Sequence, residues 1–127
     1  MKVTKFGRVD IYVKDMDKAI EFFTKFLGVK FPEPRTLEQD DAKITATYPL
    51  GIGLLAPLIP DGPTAKYIER RGEGALLIQL RVPNVEEAMA EANSMGVRRI
   101  GKTPRLHPKD TYGVIFELLP EETNQST

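Results

Sequence analysis

Residues 8–13 alternate in character. Val9, Ile11 and Val13 are apolar, and Arg8, Asp10 and Tyr12 stand between them. That is the period-two pattern of a strand with two chemically different faces. From Met16 to Leu27 the period changes: Ala19, Ile20, Phe23, Phe26 and Leu27 recur at helical spacing. Asp15 or Asp17 can cap the start of this helix and Gly28 supplies its stop. A weaker strand from Val29 is broken by the FPEP run, and strands over 42–48 and 52–56 follow, separated by Pro49–Gly51. Residues 61–71 read as a short helix, with Pro63 in the first turn and Gly72 just past the end.

Then the pattern restarts. Leu76, Ile78, Leu80 and Val82 line one face of a second strand, and Leu77, Gln79 and Arg81 line the other. Asn84 followed by Glu87 has the form of a capping box, and Val85, Ala88, Met89, Ala92 and Met95 make a helical stripe that ends at Gly96. A short strand around 97–100, the turn-rich segment TPRLHPKDTYG and a strand over 114–119 follow; the polar EETNQST tail is expected to fray. Val13 is answered by Val82, Ala19 by Ala88, Leu27-Gly28-Val29 by Met95-Gly96-Val97, and GIGLL by GVIFELL. Two copies of strand, helix and several strands imply pseudo-twofold symmetry. The sheet faces not covered by helices must meet one another or enclose something.

Composition narrows the classes. The 127 residues suit one ordinary domain, 41% of them apolar and 28% charged. With 18 basic and 18 acidic side chains there is no global field to draw nucleic acid or an anionic membrane. Having no cysteine excludes disulfides, thiolate metal sites and cysteine nucleophiles. The first residues lack an apolar signal core, and no apolar run approaches the ~20 residues needed to span a bilayer. The expectation is a soluble, cytoplasmic domain.

The segments VDIYVKDMDKAIEFF, LLAPLIPDGPTAKYIERRGEG and RLHPKDTYGVIFELL, together with the repeat, resemble the vicinal oxygen chelate superfamily of glyoxalases, bleomycin-resistance proteins and extradiol dioxygenases. Within it the likeness is greatest to the methylmalonyl-CoA epimerases. The resemblance implies an α+β fold in which paired βαβββ modules form a curled mixed sheet around a cavity. Module one would span about residues 6–58, a connecting helix about 61–72, and module two about 74–120. It also implies a divalent metal held by four side chains, two from each module. Carried onto this chain, those positions fall at Arg8, Leu77, Gly53 and Glu117, of which only Glu117 has a ligand atom to offer. No metal and no other cofactor is therefore expected. Module two also lacks the longer connection that the epimerases carry before their HPK-like segment. Glu38, in LEQDD, falls about where the epimerase pattern places a carboxylate that takes an α-proton.

The alternation turns Arg8, Asp10, Tyr12, Gln79, Arg81 and Glu117 toward one interior shared with Leu55, Leu77, Ile115 and Leu119. Two readings stand for the Arg8–Glu117 combination. In one, the arginine stands where the metal charge would be and binds a carboxylate, phosphate or enolate oxygen, while a desolvated carboxylate acts as base. In the other, a buried ion pair fills a vacated site. Asp10, Glu117 and Glu38 are the candidate acid–base groups, with Arg8 or Arg81 as oxyanion stabiliser. Tyr12, Tyr48, Leu77, Gln79, Arg81 and His107 are candidate substrate contacts. A tyrosine on a strand also reads as plain core, and His107, beside Pro108, as a surface histidine. Lys66, Arg70 and Arg71 read as a solvated helix face or as phosphate contacts.

Three functions follow. The first is a metal-independent isomerase or lyase acting on a small oxygenated substrate. The second is a non-catalytic small-molecule or antibiotic binder on the same scaffold. The third is a divergent methylmalonyl-CoA epimerase. In each case the partner is a small molecule, with no nucleic acid or membrane, and a homodimer is expected.

Overall fold

The computed structural model describes residues 1–121, so the tail beyond Glu121 lies outside the described residues. The elements are α+β in class: β1 (Lys5–Tyr12), α1 (Met16–Leu27), β2 (Arg35–Leu37), β3 (Ala42–Thr47), β4 (Ile52–Pro57), α2 (Pro63–Arg71), β5 (Gly74–Val82), α3 (Val85–Ser94), β6 (Arg105–Leu106) and β7 (Ile115–Pro120). Contacts divide the chain into two compact units. One is Asp10–Ala75; the other is Met1–Val9 with the chain from Leu76 on, so β1 passes from one unit into the other.

In the unit Asp10–Ala75, β3 pairs antiparallel with both β2 and β4. The sequence leaves the α1 cap open between two aspartates, and the structure uses Asp15, whose side chain accepts from the Lys18 N–H at 3.1 Å. Gly28 closes the helix in the left-handed region, φ 67°, and its N–H bonds the Thr24 carbonyl. A non-glycine residue at such a φ is strained, which is why the helix stops there. The inner stripe of α1, Met16 and Ala19 with Ile20 and Phe23 beside them, packs on Leu54 and Ala56 of β4 and on Ile11, Val13 and Phe31. Burying such side chains contributes roughly 1.5–3 kcal/mol each for the larger ones. α2 is anchored by the Thr64 hydroxyl, which donates to the Asp40 carbonyl at 2.7 Å.

In the other unit β5 runs parallel to β7, and β6 is antiparallel to β7. Asn84 caps α3 by accepting from the Glu87 N–H at 3.0 Å. Val82, Ala88 and Leu118, with Leu80, Val85 and Met89 against them, form the core between α3 and its strands. The two helix-covered faces thus repeat one design, as the sequence repeat predicts.

Two strand expectations are corrected. Residues 29–34 form no strand, and β2 begins only after Pro34. The strand expected around 97–100 is reduced to a single bridge between Arg99 and Leu106. The preceding residue explains why. The Arg98 N–H and guanidinium are committed to Asp110, with Nε–Oδ2 and Nη2–Oδ1 distances of 2.9 and 3.1 Å. A loop clamp has taken the place of a ladder.

That clamp has a pH signature. The hydrogen bonds from Arg98 hold the Asp110 carboxyl down from 3.8 to about 2. A carboxyl depressed in the folded state stabilises the fold above its unfolded value and loses that contribution as pH falls through its folded value. Urea midpoints of wild type and Asp110→Asn should therefore differ at pH 5 and converge between pH 4 and 2. Because the pair is exposed, the difference should shrink in high salt. A gap at pH 2 as large as that at pH 5 would mean that the clamp acts through packing instead of charge.

Candidate active site

The polar face of β1 is its buried face. Arg8 is 4% exposed, Asp10 1% and Tyr12 4%, whereas Val9 and Ile11 between them are only half-buried. An arginine and an aspartate at i and i+2 of one strand project to the same side. Charges are left that deep only when they are compensated, because an uncompensated buried ion costs several kcal/mol. At the far end of this face the Tyr12 ring meets the Tyr67 ring of α2 edge-on, with centroids 5.8 Å apart. Arg70 and Arg71 lie over Tyr67 at 5.6 and 5.8 Å, and an Arg71 Nη1–H donates to the Tyr67 hydroxyl at 3.2 Å.

The second constellation lies in the unit containing β5–β7. Gln79 on β5 stands beside Glu117 on β7, and Arg105 on β6 stands beside Glu117 from the other flank. Strand register alone puts the three in one row. The Gln79 Nε2–H donates to Glu117 Oε1 at 3.1 Å, and the Arg105 Nε–H donates to Glu117 Oε2 at 3.1 Å. The Arg105 and Glu117 side chains are only 13% and 12% exposed. Each carboxylate oxygen therefore has its own donor, one neutral and one charged. Leu77 and Ile115, on the same face of their strands, are buried. Gly7 lies close against Gln79: a Cβ there would fall 2.7 Å from Gln79 Oε1 and 2.8 Å from the Gln79 carbonyl oxygen. That oxygen Oε1 is itself buried without a hydrogen-bond partner.

The remaining candidate residues fall in both units, Arg81 and His107 in one and Tyr48 and Glu38 in the other. Arg81 gives an Nη1–H to the Pro120 carbonyl at 2.9 Å. His107 caps a 3-10 turn over Pro108–Asp110, its Nδ1 accepting from the Lys109 N–H at 3.2 Å. Tyr48 is exposed at the turn after β3, so the core reading of that tyrosine fails. Glu38 is exposed on a short 3-10 turn after β2. Sequence reasoning missed Arg105 and Gly7. Arg105 sits in a segment that reads as turn, and only the register of β6 against Glu117 reveals it.

The four positions to which the family pattern assigns a metal do not fit one. Arginine, leucine and glycine bring no ligand atom at Arg8, Leu77 and Gly53, and both oxygens of Glu117 already have protein donors. Among the described residues no three His, Cys, Asp or Glu side chains converge as a metal-holding group.

An α+β chain built twice from a strand, a covering helix and further strands has the glyoxalase-like fold. The model of the Glyoxalase/Bleomycin resistance protein/Dioxygenase superfamily matches residues 5–118, and the chain belongs to that superfamily. Mitochondrial methylmalonyl-CoA epimerase of Homo sapiens is 27% identical over 128 aligned positions, covering 90% of this chain and 72% of that protein. Among solved structures, methylmalonyl-CoA epimerase of Mycobacterium tuberculosis is similar with a TM-score of 0.75 and 29% identity, covering 95% of this chain and 90% of that one. A methylmalonyl-CoA epimerase variant of Streptomyces coelicolor, in complex with 2-nitronate-propionyl-CoA, gives a TM-score of 0.77 at 25% identity and covers 96% and 97%. Among the described residues no helix is long and apolar enough to cross a membrane.

Proposed function

We propose that this protein is an isomerase or lyase acting on a small carbonyl or acyl substrate by carboxylate acid–base chemistry, with arginine in place of a divalent metal as the stabiliser of negative charge. The observation that carries this reading is the buried, charged face of β1, where Asp10 is 1% and Arg8 4% exposed. Asp10 takes the proton from the carbon beside the carbonyl. The C–H electron pair moves onto the carbonyl oxygen, and a guanidinium stabilises the resulting enolate. Return of the proton to that carbon, from either side, completes an isomerisation; expulsion of a β-substituent by the same electron pair completes an elimination. The relatives named above make an acyl thioester the first substrate to try.

The test is isotope exchange. The protein is incubated with methylmalonyl-CoA or propionyl-CoA in D2O, with and without EDTA, and α-deuteration is followed by mass spectrometry. Exchange that is equal in both conditions is the expected result. Exchange that requires added divalent metal would revive a divergent metal-dependent epimerase and end the arginine reading.

A second reading draws on a specific feature: both oxygens of Glu117 are occupied, as suits a binding wall better than a base. A non-catalytic binder of the bleomycin-resistance type would hold its ligand unchanged. Saturable binding of a thioester with no exchange at any pH would favour it.

A further inference from the structure

The sequence presents Glu117 as an acid–base candidate, but the structure makes it an anchor. Its Oε1 is held by Gln79 and its Oε2 by Arg105. Gln79 in turn lies close against Gly7, where any side chain would collide with it. An oriented carboxylate with a charged donor on one side does one thing well: it fixes the guanidinium it faces. A guanidinium carries five N–H donors in one plane, and the bond from Nε to Glu117 sets where that plane lies. The pair is nearly buried, at 13% and 12% side-chain exposure, so the field of the guanidinium is little screened. The resulting row is a carboxylate, at a position the family pattern gives to a metal ligand, with a permanent cation bonded to its oxygen.

Resting on the reaction class proposed above, we propose that Arg105 is the oxyanion-binding residue. It is a cation built into the chain, held by Glu117 where relatives would hold a metal ion. Gln79 and Glu117 are then positioning residues that act through Arg105. This assigns a role to a residue outside the first-strand face. It also gives a role to the one carboxylate among four positions whose other residues are arginine, leucine and glycine.

Catalysis by such a residue requires tighter binding of the charge-developed state than of the ground state. The experiment compares dissociation constants for 2-nitronate-propionyl-CoA, which carries a fixed enolate-like anion, and for propionyl-CoA, which does not. Wild type should prefer the nitronate. Arg105→Met should lose about 100-fold in nitronate affinity, the scale of one lost oxyanion donor, with propionyl-CoA affinity unchanged. Arg105→Lys should restore part of the loss, since it keeps the charge but not the fork. Because Arg105→Met leaves Glu117 without its cation and can compromise folding, Glu117→Gln provides a second arm. It keeps the shape but removes the charge that fixes the Arg105 guanidinium, so the nitronate preference should fall severalfold with propionyl-CoA affinity unchanged, and a preference left at the wild-type level would overturn the positioning role of Glu117. Parallel loss of both affinities with a lowered thermal midpoint would mean that Arg105 is only structural. Nitronate preference intact in a folded Arg105→Met would overturn the assignment while leaving the isomerase or lyase reading in place. Absence of nitronate binding in wild type, together with absence of exchange, would overturn that reading and this assignment with it.

Discussion

Asp10→Asn is expected to lower α-proton exchange by about 10²–10⁴-fold, the range that a positioned general base contributes, while the protein stays folded. The substitution changes almost nothing but charge and basicity. Asparagine has the same size and keeps a carbonyl oxygen, so a side chain 1% exposed is replaced without a cavity. The risk lies in its strand neighbour. Arg8 is 4% exposed two residues earlier on the same face, and loss of a nearby negative charge weakens the compensation of that cation. Urea unfolding of the variant separates the two effects. If Asp10 serves only to balance Arg8, exchange by the folded variant stays near wild type and the unfolding midpoint falls. If Asp10 is the base, exchange collapses whatever the midpoint does. Thioester binding by the variant is a further check, because removing a base leaves ground-state affinity largely intact.

The two levels at which the chain could be read correspond to two kinds of signal. Periodicity reports which side of an element is apolar, and it located α1, α3, β3, β4 and β7 within a residue or two because their cores depend on that side. It also raised the question of Arg8, Asp10 and Tyr12, since a polar face opposite an apolar one has only two destinations. Burial resolves the question in favour of the interior. The failures have a common cause. Residues 97–100 look like a strand by composition, but their fate is decided by a side chain twelve positions further along the chain, which no period announces: Asp110 captures Arg98. Arg105 was invisible for the same reason, because a two-residue strand carries no period. What a residue faces across a ladder is set by register, and register is legible only where turns or long alternating runs pin it.

Gly7→Ala supplies a test of register that is independent of chemistry. An alanine in place of a strand glycine ordinarily stabilises by about 0.4–1 kcal/mol through the unfolded chain when the site has room. Here the expected sign is reversed, with a loss of roughly 1–3 kcal/mol, the scale of an overpacked core site. The new Cβ would stand 2.7 Å from Gln79 Oε1, 2.8 Å from the Gln79 carbonyl oxygen and 3.1 Å from its Cγ. The side-chain overlaps can be relieved by turning Gln79, but only by pulling Nε2 from Glu117. The carbonyl overlap cannot be relieved that way, because β5 would have to shift. A double-mutant cycle with Gln79→Ala distinguishes the two contributions. If the side-chain contacts dominate, Gly7→Ala becomes nearly neutral in the Gln79→Ala background; if the backbone contact dominates, as 2.8 Å against a strand carbonyl implies, most of the penalty persists there. A Gly7→Ala protein as stable as wild type would show that β1 does not approach Gln79 so closely, and the support it gives to the Gln79–Glu117–Arg105 row would go with it.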